Sequence, residues 1–159
     1  MMFVTVGSMF PFERMIRIMD DWTSQHSREV FAQIGGGKYE PRHMRWQRII
    51  PPDEYKKMVQ SCRLIISHAG TGSVFTASEF FKPIVLVPRR ADLNEHTTDH
   101  QLDTAKWLEG KPGIFIAWSE QELAQAIEQA RQVAGNLQSL VPSSAPQPFL
   151  DRIRNFLVT

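Results

Sequence analysis

Apolar residues along the chain fall into two alternating rhythms. Short, mainly apolar runs at residues 3–6, 30–34, 64–66 and 84–87 have the length and composition of strands buried on both faces. Between the first two runs, Phe12, Met15, Met19 and Trp22 recur at helical spacing, which predicts a helix over 12–25 with this stripe against the core. Residues 45–50 read as a short strand, and Pro51-Pro52-Asp53 opens a helix to about 61, with proline at the first turn. A helix over 99–108 follows the run at 84–87, and Gly110, Pro112 and Gly113 break the chain before a sixth strand at 114–118. Ser119 with Glu122 three residues on forms a capping box for a helix carrying Leu123, Ile127, Ala130 and Ala134 on one face. Beyond a Pro/Ser-rich stretch at 141–148, Phe149, Ile153, Phe156 and Leu157 give a last amphipathic helix. Strands alternating with helices at this spacing predict an α/β fold, a doubly wound parallel sheet with right-handed crossovers.

The chain is organised around residues 64–101. The short apolar run at 64–66 ends in Ser67, His68, Ala69, Gly70, Thr71, Gly72 and Ser73, and helix-compatible spacing continues to Phe81. Glycines at 70 and 72 let a ligand approach the backbone, and the free N–H groups of a helix start favour an anion, phosphate above all. His68 at the lip of the strand either donates to a phosphate oxygen or is a buried imidazole bonded to backbone. Ser73 either reaches the anion with hydroxyl and N–H or merely caps the helix. Glu79 is a ribose ligand or a solvated helix residue. The next run, ending in Pro88, discharges into residues 89–101, where nine of thirteen side chains are ionisable or carry an amide and do not help a core: Arg89, Arg90, Asp92, Asn94, Glu95, His96, Asp99, His100 and Gln101. Arginines there suit phosphate, and the acids, histidines and glutamine suit sugar hydroxyls. Glu95, His96, Asp99 and His100 are also closely spaced metal-ligand types, but no metal is expected. Gly35-Gly36-Gly37 after the second strand marks a flexible or tightly turning loop.

Composition narrows the function classes. A chain of 159 residues with 42% hydrophobic and 22% charged residues fits one soluble globular domain with a proper core. A net charge of +1 gives no electrostatic case for nucleic acid. The single cysteine, Cys62, excludes an internal disulfide and reads as a core residue. The N-terminus lacks a signal-peptide pattern, and no apolar run approaches a membrane span, so a cytoplasmic location is expected.

The ordered series SHAGTGS, KP at the end of the following helix, PRR after the next strand and then NEHTTDHQ resembles the C-terminal, donor-binding half of family 28 glycosyltransferases of the GT-B type. It is most similar there to the small subunits of two-component exopolysaccharide and dolichol-linked N-acetylglucosamine transferases. The resemblance runs from Gly7 to about Ala105 and more loosely to the end. It implies a Rossmann-like domain over 1–159 in which His68, Gly70, Thr71, Gly72 and Ser73 hold the diphosphate of a UDP-sugar and Gly7 and Ser8 close over it. An acid on the following helix binds ribose in such proteins. The position eight residues after His68 is Thr76 here, with Glu79 one turn later. Arg89 is placed with the phosphate ligands, and Asp99, His100 and Gln101 with the donor sugar. His96 or Glu95, or a residue of a partner, is the implied base for the acceptor hydroxyl.

The UDP-sugar is the donor substrate, and no separate cofactor is implied. With two residues ahead of the first strand, the acceptor-binding half is expected on a second, membrane-anchored polypeptide. That partner would bring a lipid-linked glycan and hold this chain at the inner membrane face. Residues 149–158 are the candidate docking helix. The expected function is transfer of a hexose, galactose, glucose or N-acetylglucosamine, in exopolysaccharide biosynthesis. The rivals are a non-catalytic enhancer of a separate transferase and a homodimeric epimerase-type enzyme on the same fold.

Overall fold

The computed structural model describes residues 1–137. The predicted docking helix lies outside the described residues. Six parallel strands, β1 (Met2–Thr5), β2 (Val30–Gln33), β3 (Arg45–Gln47), β4 (Leu64–His68), β5 (Ile84–Val87) and β6 (Ile114–Ile116), form one sheet in the order β3-β2-β1-β4-β5-β6. Five α-helices connect or follow them: α1 (Glu13–Gln25), α2 (Pro52–Ser61), α3 (Thr71–Glu79), α4 (His100–Leu108) and α5 (Glu120–Val133). The order reverses between β1 and β4, which opens a crevice at their carboxyl ends.

Alternation along each strand divides the core into two layers. Val4, Ile66 and Val85 point to one face, where Met15, Ile16 and Met19 of α1 and Leu123, Ile127 and Ala130 of α5 cover them. Phe3, Ile65, Ile84 and Leu86 point to the other, beneath Val59 of α2, Val74 and Ala77 of α3, and Ala105 and Leu108 of α4. Phe12, Met15 and Met19 are fully buried, so the stripe on the first helix is core, with Trp22 packed at its margin. Cys62 is buried as well, donating its thiol to the Val59 carbonyl at 3.2 Å, and burial pushes its pKa up to about 11.

Several boundaries fall short of the expected ones, each for a local reason. β3 ends at Gln47, although Gly35 N–H still reaches the Arg48 carbonyl at 2.9 Å, because the chain then turns toward Pro51. α3 stops at Glu79 in a Schellman closure: Phe81 adopts a left-handed φ of 51°, and Lys82 N–H donates to Ala77 O at 2.9 Å. The capping box is present in modified form. Ser119 Oγ accepts from Glu122 N–H, but the Glu122 carboxylate reaches back to Trp118 N–H. α5 ends at Val133, leaving Ala134 as its C-cap residue, off the helical face.

The crossover from β2 to β3 contains no helix. It is held by Asp20 of α1, a carboxylate only 1% exposed that accepts from Tyr39 Oη at 2.7 Å, Arg42 N–H at 2.9 Å and His43 N–H at 2.7 Å. These bonds outweigh the cost of burial and keep the Asp20 pKa below its ordinary value.

Candidate functional site

At the switch point the loops after β1, β2, β4 and β5 surround a cleft of about 800 Å³. Gly7, Ser8, Gly36, His68, Gly70, Thr71, Gly72, Ser73, Thr76, Arg89, His96, His100 and Gln101 lie in its wall. Eleven of the fourteen residues named as candidates from the sequence are therefore brought together here, from segments as far apart as residues 7 and 101.

The floor is the junction of β4 and α3. Gly70 is the N-cap residue of α3 and has no side chain to satisfy the first turn. Among the described residues, Thr71 and Gly72 N–H have no hydrogen-bond partner, and both border the cleft. Unpaired amides at a helix start are suited to an anion. Beside them, the buried hydroxyls of Ser67 and Ser73 are bonded at 2.8 Å, and Ser67 Oγ also meets His68 Nδ1 at 3.2 Å. The His68 ring is wedged between Gly7 and Gly70, and a Cβ on either glycine would collide with it. Burial, reinforced by the nearby Arg89 charge and opposed by a bond to the Thr5 carbonyl, lowers the His68 pKa to about 4. The imidazole is neutral at physiological pH.

Arg89 follows β5 and is 3% exposed. Its Nη2 donates to the carbonyls of Val6 at 2.8 Å and Phe10 at 2.6 Å, tying the β1–α1 loop to the β5 loop, and its guanidinium lies over the Phe12 ring. Its Nε has no hydrogen-bond partner among the described residues. Burial, partly offset by Glu95, lowers its pKa to about 10, so the positive charge remains. Arg89 N–H donates to Gln101 Oε1 at 3.1 Å, which fixes the amide of Gln101 in the cleft wall.

Four candidates stand differently from their expected roles. Glu79 is exposed at the far end of α3, 4.0 Å from Lys56, and is not part of the cleft; Thr76, one turn nearer the helix start, is. Asp99 also lies outside the wall and accepts from Ala91 N–H at 2.9 Å, holding the loop in shape. Glu95 is clamped by Arg14 of α1 through two bonds of 2.6 and 2.8 Å and accepts Arg90 N–H as well, so its carboxylate is not free to take a proton from a ligand. His96 does face the cleft, edge-on to His100, but its Nδ1 accepts from Thr98 N–H at 3.2 Å. The neutral ring therefore carries its proton on Nε2 and acts as a donor. Burial, His100 and Arg89 together hold its pKa below the ordinary value.

The cleft also includes residues the sequence reading passed over. Gln33 donates to Gly7 O at 3.1 Å and accepts from Thr5 Oγ1 at 2.7 Å, and Tyr55, Arg48 and Ile49 border the same space. A Gln at the end of a buried strand was the available signal. A second cleft of about 740 Å³ lies between α1 and residues 38–43, but its central carboxylate, Asp20, is already saturated with hydrogen bonds. No group of three or more metal-ligand side chains comes together among the described residues.

A parallel sheet in this order, with a small-residue turn and a bare helix N-terminus at its switch point, defines a Rossmann-like class of α/β domain. Residues 1–146 match the glycosyltransferase family 28 C-terminal domain, and the chain belongs to that family. It is the α/β domain that forms the C-terminal half of GT-B glycosyltransferases. Among curated proteins it is 30% identical to the UDP-N-acetylglucosamine transferase subunit ALG13 of Yarrowia lipolytica (strain CLIB 122 / E 150), over 72% of this chain and 63% of that one. It is 29% identical to ALG13 of Mus musculus, over 71% of this chain and 10% of that protein. The chain thus spans less than two thirds of these relatives. Among solved structures, MurG of Acinetobacter baumannii superposes with a TM-score of 0.58 at 19% identity, covering 96% of this chain and 49% of that one. A glycotransferase of kitacinnamycin gives 0.57 at 14% identity, covering 81% and 34%.

Proposed function

We propose that the cleft binds the diphosphate of a UDP-sugar and that the chain is the donor-binding subunit of a glycosyltransferase. The observation that carries this is the bare start of α3, with Thr71 and Gly72 N–H unpaired beside Ser73, under a retained Arg89 charge. As the bond to the sugar breaks, negative charge grows on the departing diphosphate, and amides and hydroxyls already aimed there stabilise it without reorganising. Gly7 and Ser8 close over the phosphates, Thr76 is the ribose-side contact in place of Glu79, and His100 and Gln101 face the hexose.

N-acetylglucosamine is the first sugar to test, because both curated relatives are subunits of a UDP-N-acetylglucosamine transferase. Glucose and galactose follow. The acceptor half is supplied by a second polypeptide, which brings a lipid-linked glycan in polysaccharide assembly and carries this chain to the cytoplasmic membrane face. Among the described residues no helix is long and apolar enough to cross a membrane. Support for a covering partner comes from Met9 and Ile49, 82% and 80% exposed on the cleft rim. With Glu95 clamped and His96 a donor, the base for the acceptor hydroxyl comes from that partner, and His96 positions substrate instead.

Calorimetric titration of UDP, UDP-galactose, UDP-glucose and UDP-N-acetylglucosamine tests the reading. One-site binding is expected, with a sugar preference that disappears in Gln101→Ala. If none of the four binds the chain, alone or co-expressed with its partner, the donor-site reading fails and a non-catalytic stabilising subunit takes its place.

A further inference from the structure

From the buried cluster beneath α3 we infer that Ser67 is a positioning residue, the middle link of a directional hydrogen-bond chain that aims the Ser73 hydroxyl at the bound anion. The inference rests on the diphosphate reading of the cleft. Ser67 is 0% exposed and touches no solvent, yet it contacts both cleft-lining side chains around it: Ser73 Oγ at 2.8 Å and His68 Nδ1 at 3.2 Å. A serine in this position, one pleat behind the cleft on β4, cannot meet a ligand itself. Among the described residues its hydroxyl bonds only to the two that can.

The donor and acceptor inventory fixes the order of the chain. A phosphate oxygen only accepts, so Ser73 must give it its O–H. Ser73 Oγ is then free to accept from Ser67, and Ser67 Oγ to accept from the ring. The only proton available for that last bond is one on His68 Nδ1. His68, wedged between Gly7 and Gly70, cannot turn away to break the arrangement. The sequence His68 Nδ1–H to Ser67, Ser67 O–H to Ser73, Ser73 O–H to anion leaves every proton on its own atom. What the chain supplies is orientation, since a hydroxyl held by an accepted hydrogen bond does not have to be reoriented when the anion arrives.

Two consequences separate this role from a packing role. His68 does not itself donate to the diphosphate. Its Nε2 is left with a lone pair and accepts a hydrogen bond from a ligand hydroxyl or water. The contributions of Ser67 and Ser73 to anion binding are also not independent, because Ser73 is the link through which Ser67 orients a donor toward the diphosphate.

The test is a double-mutant cycle read by UDP and pyrophosphate titration. Ser67→Ala weakens both ligands about tenfold or more, the scale of a hydrogen bond to a charged group. In a Ser73→Ala background the same substitution costs nothing further. Nitrogen-15 spectra of His68 in the UDP complex show the Nδ1–H tautomer. His68→Asn, whose side-chain N–H stands near the place of Nδ1, retains more affinity than His68→Gln. Losses that add in the double variant, or a His68 proton found on Nε2 with UDP bound, overturn the chain of bonds and leave the diphosphate site standing. Failure of both UDP and pyrophosphate to bind the wild-type chain overturns the diphosphate reading and this inference together. Should Ser67→Ala not fold, Ser67→Cys, which keeps the size of the side chain and weakens both of its bonds, takes its place in the same cycle, because the Thr5 carbonyl also draws a proton from the His68 ring and the tautomer alone does not decide.

Discussion

Gly7 and His68 meet across the switch point of the sheet: a Cβ built on Gly7 would lie 2.6 Å from His68 Cε1, and Gly7 itself has a φ of +78°. The loop after β1 can therefore close onto the imidazole after β4 only if residue 7 has no side chain. Gly7→Ala combines left-handed strain with a collision, and a loss of about 2–4 kcal/mol in denaturant unfolding is expected. UDP affinity falls in the same variant. Unchanged stability would show that the loop has another low-energy path.

Acid weakens the fold through His68. The folded chain keeps this ring neutral down to about pH 4, while the unfolded chain takes up a proton near the ordinary value of 6.5. Between those values the unfolded state binds more protons, so stability is intact above about pH 6.5 and declines as pH falls toward 4. The full effect is about 3 kcal/mol. Denaturant unfolding at a series of pH values should show this slope in the wild type and lose it in His68→Asn. Asp20, whose pKa is depressed, adds a further loss only at lower pH, as acid reaches its carboxylate. An identical slope in both proteins would assign the effect to other groups.

Glu95 separates a base from a clamp. Held by Arg14 and Arg90 N–H in the loop that leads through His96 into α4, it is expected to act through geometry. Glu95→Gln lowers the melting temperature by the equivalent of about 1–3 kcal/mol and weakens donor binding, because Arg14 loses its charged partner. Arg14→Gln should do the same, although Arg14 is not in the cleft wall. A Glu95→Gln protein with wild-type stability and donor affinity, but no transfer in the reconstituted complex, would restore it as the base.

The ribose contact is read by pairing two helix positions. Glu79→Ala should leave UDP affinity within about twofold of wild type, since an exposed pair with Lys56 is worth little and lies off the cleft. Thr76→Val should weaken UDP but spare pyrophosphate, because it removes a hydroxyl one turn beyond the anion end of α3. The reverse pattern would move the ribose toward Glu79.

Where the sequence was most informative, one physical pattern decided the matter locally. Mainly apolar runs mark strands covered on both faces, and Gly70, Gly72 and Ser73 mark a helix start open to a ligand. The cleft drew on residues whose types already suited it. What was not legible depended on distant partners. Nothing around Glu95 shows that Arg14, 81 positions away, occupies its carboxylate. Asp20 appears as an ordinary charge on a helix until the helix-free crossover folds onto it, and Ser67 reads as one more small strand residue. Arg89 was legible as a cation, but not as the tie between the Val6 and Phe10 carbonyls and the β5 loop.

The central claim is that the start of α3 is where the diphosphate rests, and amide chemical-shift mapping with UDP tests it most directly. The account predicts that the signals of Gly7, Gly36 and residues 70–73 move with saturation and that those of Tyr39, Arg42 and His43 in the other cleft stay in place. Saturable shifts confined to residues 38–43, with the amides of Thr71 and Gly72 unmoved, would contradict it.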